Sequence, residues 1–343
     1  MAIMVELFGE VAADYDEIRP GYPAALAATI LAYHGGPPSR LVEVGAGTGL
    51  ATALLRDLAA AAEPARPVPD VVGSDVVGSD VVGSDVVGSD VVGSDVVGSD
   101  VVGPGSAAPP RPGSDGAGRA DLERADLGRA DLGRADLGRA DLGRADLERA
   151  GPVWTRVTCV EPDARMAAVL AARFPDVEVV VARFAQWSPP PGGVPLLACA
   201  LAWHWLDPAT RNRQAHDALT PGGTLAVFAH RYDYVDPAHA AAIRAAFESV
   251  DPVPHHDQPE DWFHADITAS GLFTDVRSVA LRRPVPLTTA GYQRLVDTFS
   301  PQLRRPLELR DRVRAAIGVA VDGFGGTVTL DLRTTLVLAR RPA

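Results

Sequence analysis

Leu41-Val42-Glu43-Val44-Gly45-Ala46-Gly47-Thr48-Gly49 is the stretch on which the reading of this chain turns. Apolar residues at 41, 42 and 44 suit a buried parallel strand, and Leu50-Ala51-Thr52-Ala53-Leu54-Leu55 behind it suits a helix. A strand, a glycine turn and a helix in this order bring backbone N–H groups and the positive end of a helix dipole up to a ligand. Glycine is needed where a Cβ would block that approach. A dinucleotide fingerprint has glycines at the first, third and sixth positions of the turn. Here the sixth position is Leu50, and the third glycine comes early, at Gly49. Glu43, just ahead of the turn, suits a ligand with a positively charged amino group better than a pyrophosphate.

After a helix expected over Ala51 to Ala61 the sequence changes character. Asp-Val-Val-Gly recurs from Asp70, Asp75, Asp80, Asp85, Asp90, Asp95 and Asp100. A bridge rich in Gly, Pro, Ala and Ser follows, and then units of Ala-Asp-Leu-Gly-Arg or Ala-Asp-Leu-Glu-Arg begin at Ala120, Ala125, Ala130, Ala135, Ala140 and Ala145. A period of five matches neither strand nor α-helix, so a repeated residue makes no face on either. The second array resembles pentapeptide-repeat proteins, whose Ala and Leu point into a square β-helix. Its units would complete only about one and a half coils without caps, where roughly three stacked repeats are needed for stability. The favoured reading is a tandem expansion without fixed structure, held in solution by its charges. The domain limits expected are therefore 1–65 and 152–343 for one α/β domain, with 66–151 inserted into it.

Beyond Pro152 the ordinary pattern resumes. Strands are expected over Val153 to Val160, Val177 to Val181, Leu196 to Ala200 and Thr224 to Ala229, with helices over Ala164 to Phe174 and about Pro208 to Leu219. Alternation of this kind implies a mostly parallel sheet with helices on both faces. The tail adds strands over Val276 to Leu281 and Val328 to Ala339, separated by helical stretches over about Thr289 to Phe299 and Leu307 to Val321. At the other end, Pro20-Gly21-Tyr22-Pro23 breaks any helix before the one expected from Ala24 to Tyr33.

Composition excludes several function classes. The chain has no lysine, so all 32 basic residues are arginine, and Schiff-base or Walker-type lysine chemistry is ruled out. The net charge is −12, but residues 66–151 hold 16 of the 44 acidic residues and only 9 of the basic ones, so much of the acidity belongs to the repeats. No basic stripe for a nucleic acid is visible in the remainder. No apolar run approaches the roughly 18 residues of a membrane span, and Met1 to Tyr15 carries acids and no basic residue, unlike a signal peptide. A cytoplasmic protein with no membrane partner is expected. Cys159 and Cys199 fall in buried-strand patterns without a CxxC partner, and His255-His256 lacks further ligands, so no metal is assigned.

Glu43-Val44-Gly45-Ala46-Gly47-Thr48-Gly49 resembles the first motif of the class I S-adenosylmethionine-dependent methyltransferases. Glu161-Pro162-Asp163 with Met166 resembles their second motif, and Ala202-Trp203-His204-Trp205 the Ala-x-His-Trp segment of small-molecule members similar to trans-aconitate methyltransferase. An acid at the end of the second strand can accept hydrogen bonds from both ribose hydroxyls. Its usual place is about 20 residues beyond the glycines, and removing the repeats restores that spacing. The resemblance implies a Rossmann-like, seven-stranded sheet whose last strand is antiparallel. It implies S-adenosylmethionine as cofactor, held by Glu43, Gly45, Ala46, Gly47, Gly49, Glu161, Pro162, Met166, Phe184 and Ala200. Tyr15 and Arg19 join them from a segment that folds over the cofactor.

One departure stands out: where acids often read the adenine amino group, this chain has Ala185 and Gln186. His204, expected at the carboxyl end of the sheet, is the general-base candidate, and His230 and Arg231 could orient an anionic acceptor. The helices over 289–321 are expected to cover the acceptor pocket, with Phe8 to Tyr22 on its other side. The expected activity is methyl transfer to a small molecule. The alternative is a methyltransferase-like domain that no longer reacts and carries a repeat module for interactions.

Overall fold

The computed structural model describes residues 8–60, 156–252, 259 and 262–343. The expected repeat insertion and His255-His256 lie outside the described residues. Seven strands form one sheet in the order β3-β2-β1-β4-β5-β7-β6. They are β1 (Arg40–Val44), β2 (Arg156–Glu161), β3 (Glu178–Val181), β4 (Val194–Ala200), β5 (Leu219–Tyr234), β6 (Thr274–Thr288) and β7 (Thr327–Arg340). The pairs among β1 to β5 are parallel, and β7 runs antiparallel between β5 and β6. The mostly parallel sheet expected from the sequence is thus present, with its last strand reversed.

Helices α1 (Ala12–Ile18), α2 (Ala24–His34), α3 (Leu50–Ala60), α4 (Ala164–Arg173), α5 (Arg211–Ala218), α6 (Pro237–Val250) and α7 (Trp262–Ala269) precede β6. Helices α8 (Thr289–Asp297), α9 (Ser300–Arg304) and α10 (Leu307–Gly323) lie between β6 and β7. Two-residue alternation decides what each side of the sheet buries. Leu41, Cys159, Leu196, Ala198 and Phe228 pack with Leu26 and Ile30 of α2, Leu55 of α3 and Leu170 of α4. Val42, Val44, Leu197, Cys199 and Val227 pack with Ala215 of α5 and with Phe263 and Ile267 of α7. A third cluster joins the far halves of β5 and β7 to α6, α8 and α10 through Tyr232, Ile243, Leu295, Ile317 and Leu332.

Several elements differ from expectation. Strand β5 runs on to Tyr234 and β6 to Thr288, because β7 pairs with β5 from Thr224↔Arg340 to Tyr234↔Leu330 and with β6 from Thr274↔Arg340 to Thr288↔Thr327. Helix α6 was not expected from the sequence; the Asp236 carboxylate caps it by accepting from Ala238 N–H, with Pro237 in its first turn. The segment before Pro20 also holds a helix, α1, ended where Arg19 turns extended ahead of the proline.

Candidate functional site

The glycine turn leaves β1 at the carboxyl edge of the sheet. Gly45, Gly47 and Gly49 all have positive φ, at 68°, 58° and 90°. At two of them packing adds a second demand: a Cβ on Gly45 would stand 2.3 Å from Ala202 Cβ, and one on Gly49 2.7 Å from the Phe174 ring. A Cβ on Gly47 would meet only Met166 Cε, at an ordinary 3.5 Å. Gly47 is therefore the glycine whose open side is free for a ligand.

The backbone donors of the turn are mostly engaged. Gly45 N–H donates to the Val160 carbonyl at 2.8 Å, Ala46 N–H more weakly to the same oxygen at 3.4 Å, and Gly49 N–H to the Ala46 carbonyl at 2.9 Å. Gly47 N–H donates to Glu161 Oε2 at 2.8 Å across 114 residues of sequence. These donors are committed within the protein and do not form the cradle of aimed N–H groups that a pyrophosphate uses. Glu161 Oε1 accepts from Asp163 N–H at 2.9 Å. A carboxylate has about four acceptor positions, so Glu161 can still receive two hydroxyls. Burial raises its pKa, against the lowering effect of the two N–H groups.

Strand order, the reversed last strand and the Gly47–Glu161 bond meet in one arrangement. The fold is that of the class I methyltransferases.

Among solved structures the chain is similar to the YcgJ protein of Bacillus subtilis, at 9% identity over 94% of this chain and 100% of that one, with a TM-score of 0.43. It is also similar to a candidate type II methyltransferase from Anaeromyxobacter dehalogenans, at 14% identity over 95% and 99% of the two chains, with a TM-score of 0.48. A geranyl diphosphate methyltransferase solved with GPP and sinefungin matches at 15% identity over 93% and 78%, with a TM-score of 0.35. A family model described as pentapeptide repeats, in 8 copies, matches residues 118–150. No curated protein matches the chain.

Within the methyltransferase fold, several expected site residues gather at the rim and others do not. Met166 lies under Gly47, and Asp163 caps α4 by accepting from Arg165 N–H at 2.9 Å. Pro162 follows Glu161 on the same edge and is half-buried, while Ala46 is buried in the glycine turn and Ala200 at the end of β4. Glu43 is kept from the rim. As an odd-numbered residue of β1 it faces α3, where it accepts from Thr52 Oγ1 at 2.5 Å and from Cys159 Sγ at 3.8 Å. Burial pushes its pKa up to about 8. Phe184 points into the core and stacks on Trp187, so only its backbone can line the rim, while Gln186 is exposed.

His230 is committed as well. Its Nδ1 bonds Thr334 Oγ1 at 2.8 Å and its Nε2 meets the Pro20 carbonyl at 3.2 Å, with Tyr22 stacked on the ring at 4.2 Å. Burial lowers its pKa to about 3, which keeps it neutral. It fastens the N-terminal segment and does not greet an acceptor. Arg231 faces Asp233 at 3.8 Å on the opposite side of β5.

Arg19 is buried and donates to Thr298 Oγ1 and the Thr298 carbonyl, both at 2.8 Å, and to Tyr232 Oη at 3.3 Å. Its guanidinium lies over Tyr15 and Phe299, 4.8 and 4.6 Å from the ring centroids. Arg294 of α8 bonds Asp14 and Glu17, and Arg173 of α4 bonds Asp16. Residues 8–22 thus form a strap running from α4 to α8 along the carboxyl edge. The strap and the 289–321 helices touch each other directly, through Arg19 with Thr298 and through Arg294 with Asp14 and Glu17.

His204 stands half-buried on a one-turn helix after β4, its ring 4.5 Å from that of Trp205. Trp205 is met by Phe8 of the strap at 6.0 Å and by Arg304 of α9 at 5.6 Å. Leu201, just before this turn, has φ of +53°, a strained state for a branched residue of the kind found at functional sites. Neither Phe8 nor Arg304 was singled out in the sequence, since each reaches the rim only through tertiary packing. Among the described residues no cluster of three or more His, Cys, Asp or Glu could hold a metal. No helix among them is long and apolar enough to cross a membrane.

Proposed function

We propose that this protein transfers the methyl group of S-adenosylmethionine to a small-molecule acceptor. The observation that carries the reading is the Gly47–Glu161 bond, which joins an open glycine to a strand-end carboxylate with acceptor positions to spare. A ribose edge fits that pair, and an adenine fits beside Pro162 and Met166. The engaged donors of the turn disfavour a pyrophosphate ligand. When bound, S-adenosylmethionine supplies an electrophilic methyl group on a sulfonium, suited to in-line displacement.

The chain's own contribution is alignment and exclusion of water, effects that lower barriers by several kcal/mol. The strap, with Tyr15 and Arg19, and the helices after β6 border the carboxyl edge and suit an acceptor small enough to be enclosed. His204 is the group that would take a proton from an acceptor that must lose one. Incubation with methyl-labelled S-adenosylmethionine and small-molecule fractions should yield a labelled small molecule. His204→Gln should lower turnover by about 10²-fold or more with cofactor affinity unchanged. Label found only on protein or nucleic acid, or none transferred at all, would overturn the reading.

A further inference from the structure

The turn that carries His204 is held from behind by a group of residues with no place at the rim. Asp266 of α7 accepts at Oδ2 from Trp203 Nε1 at 2.9 Å, from Arg211 Nε at 3.0 Å and from Asn212 Nδ2 at 3.0 Å. Its Oδ1 accepts from Arg211 Nη2 at 2.5 Å. Arg211 Nη1 also donates to the Trp203 carbonyl at 3.3 Å, and the guanidinium lies 5.8 and 5.0 Å from the rings of Trp203 and Trp262. The turn is therefore gripped at both its indole and its backbone. Arg211 and Asn212 open α5 and Asp266 lies on α7, so two helices converge on one residue of the loop.

Such a grip answers a local problem. The chain leaves β4 through Leu201 in the left-handed region, a state that persists only where surrounding contacts over-determine it. A planar fork on a carboxylate is the pair best suited to fix direction as well as distance. Burial pushes Asp266 up, yet the donors from Arg211, Trp203 and Asn212 overcome this and hold its carboxyl below the usual range.

We propose that Asp266 and Arg211 are positioning residues: they set Trp203 and thereby fix the direction in which His204 faces the rim. The inference rests on the proposed role of His204, but its test reads the turn without cofactor or acceptor. Carbon–proton correlation spectra of the full chain report each histidine ring, with the His204 signal identified by its loss in His204→Gln. In the unaltered protein His204 should give one sharp signal, and the Trp203 indole N–H a signal typical of a bonded donor. Asp266→Asn and Arg211→Lys should each split or broaden the His204 signal and shift the Trp203 indole signal, while His34 and His230 stay in place.

An unchanged His204 signal in either folded variant would overturn the proposal. So would equal movement of all the histidine signals, which marks a general loss of packing. Should Asp266→Asn not fold, Arg211→Lys decides alone, since it keeps the charge and loses the fork. Because no ligand is added, failure here is distinct from failure to bind S-adenosylmethionine.

Discussion

Gly45 and Gly47 have the same backbone sign but carry different duties, and single methyl groups should separate them. Gly45→Ala meets Ala202 Cβ in a buried loop, so strain and overpacking add to about 2–4 kcal/mol of lost stability. Gly47→Ala has room for its methyl group and should cost only the backbone strain of about 1–2 kcal/mol. The larger Gly47→Val should abolish cofactor binding in a folded protein. Melting curves with ligand titrations check both, and a Gly47→Val protein with unchanged affinity would reduce the loop to a turn. Glu43 offers a second residue-scale prediction. Its carboxyl holds a proton to about 8 when folded, against 4.5 unfolded, so between these values the folded state binds more protons. Stability from this group is fully present below about 4.5 and is lost as pH rises towards about 8. Glu43→Gln should flatten the fall in melting temperature across that window; an identical fall in the variant would contradict the assignment.

Among the elements, the strap is held by contacts of unequal worth. Arg19 is buried with three hydrogen bonds and aromatic rings about it, so Arg19→Ala should cost about 2–3 kcal/mol and expose residues 8–22 to proteolysis. Arg294 pairs with Asp14 and Glu17 at the surface, where salt and side-chain entropy cancel most of the attraction, and Arg294→Ala should barely move the melting temperature. Equal losses from the two variants, measured by thermal melts, would refute this ranking. The same segment shows where sequence reading reaches and where it stops. Tyr15 and Arg19 stand four apart and mark one face of a helix, but the partner of Arg19, Thr298, lies 279 residues on and is set by the way α8 leaves β6. The core strands were legible because alternation and apolar runs are local signals. The start of α6 at Asp236-Pro237 is such a signal too, and its significance shows only once β5 is seen to reach Tyr234. Glu43 was read for its charge, whereas strand parity turned it towards α3.

At the scale of the molecule, we propose that the repeats are an insertion the domain can do without. Helix α3 starts at the glycine turn and runs to Ala60, and β2 starts at Arg156 beside Arg40, at the amino edge of the sheet. The chain therefore departs from and returns to the part of the domain away from the rim, and loop closure grows only slowly with length. Replacing residues 67–151 by a short Gly/Ser linker should leave melting temperature and cofactor affinity unchanged; loss of either would make the repeats a structural partner. The central claim, that the rim joined by Gly47 and Glu161 receives S-adenosylmethionine, is tested most directly by isothermal titration of the full chain with that compound. The account predicts micromolar binding at one site, weakened by Glu161→Ala by at least about tenfold, or roughly 1.4 kcal/mol. Absence of heat at millimolar ligand, or an affinity indifferent to Glu161, would contradict it.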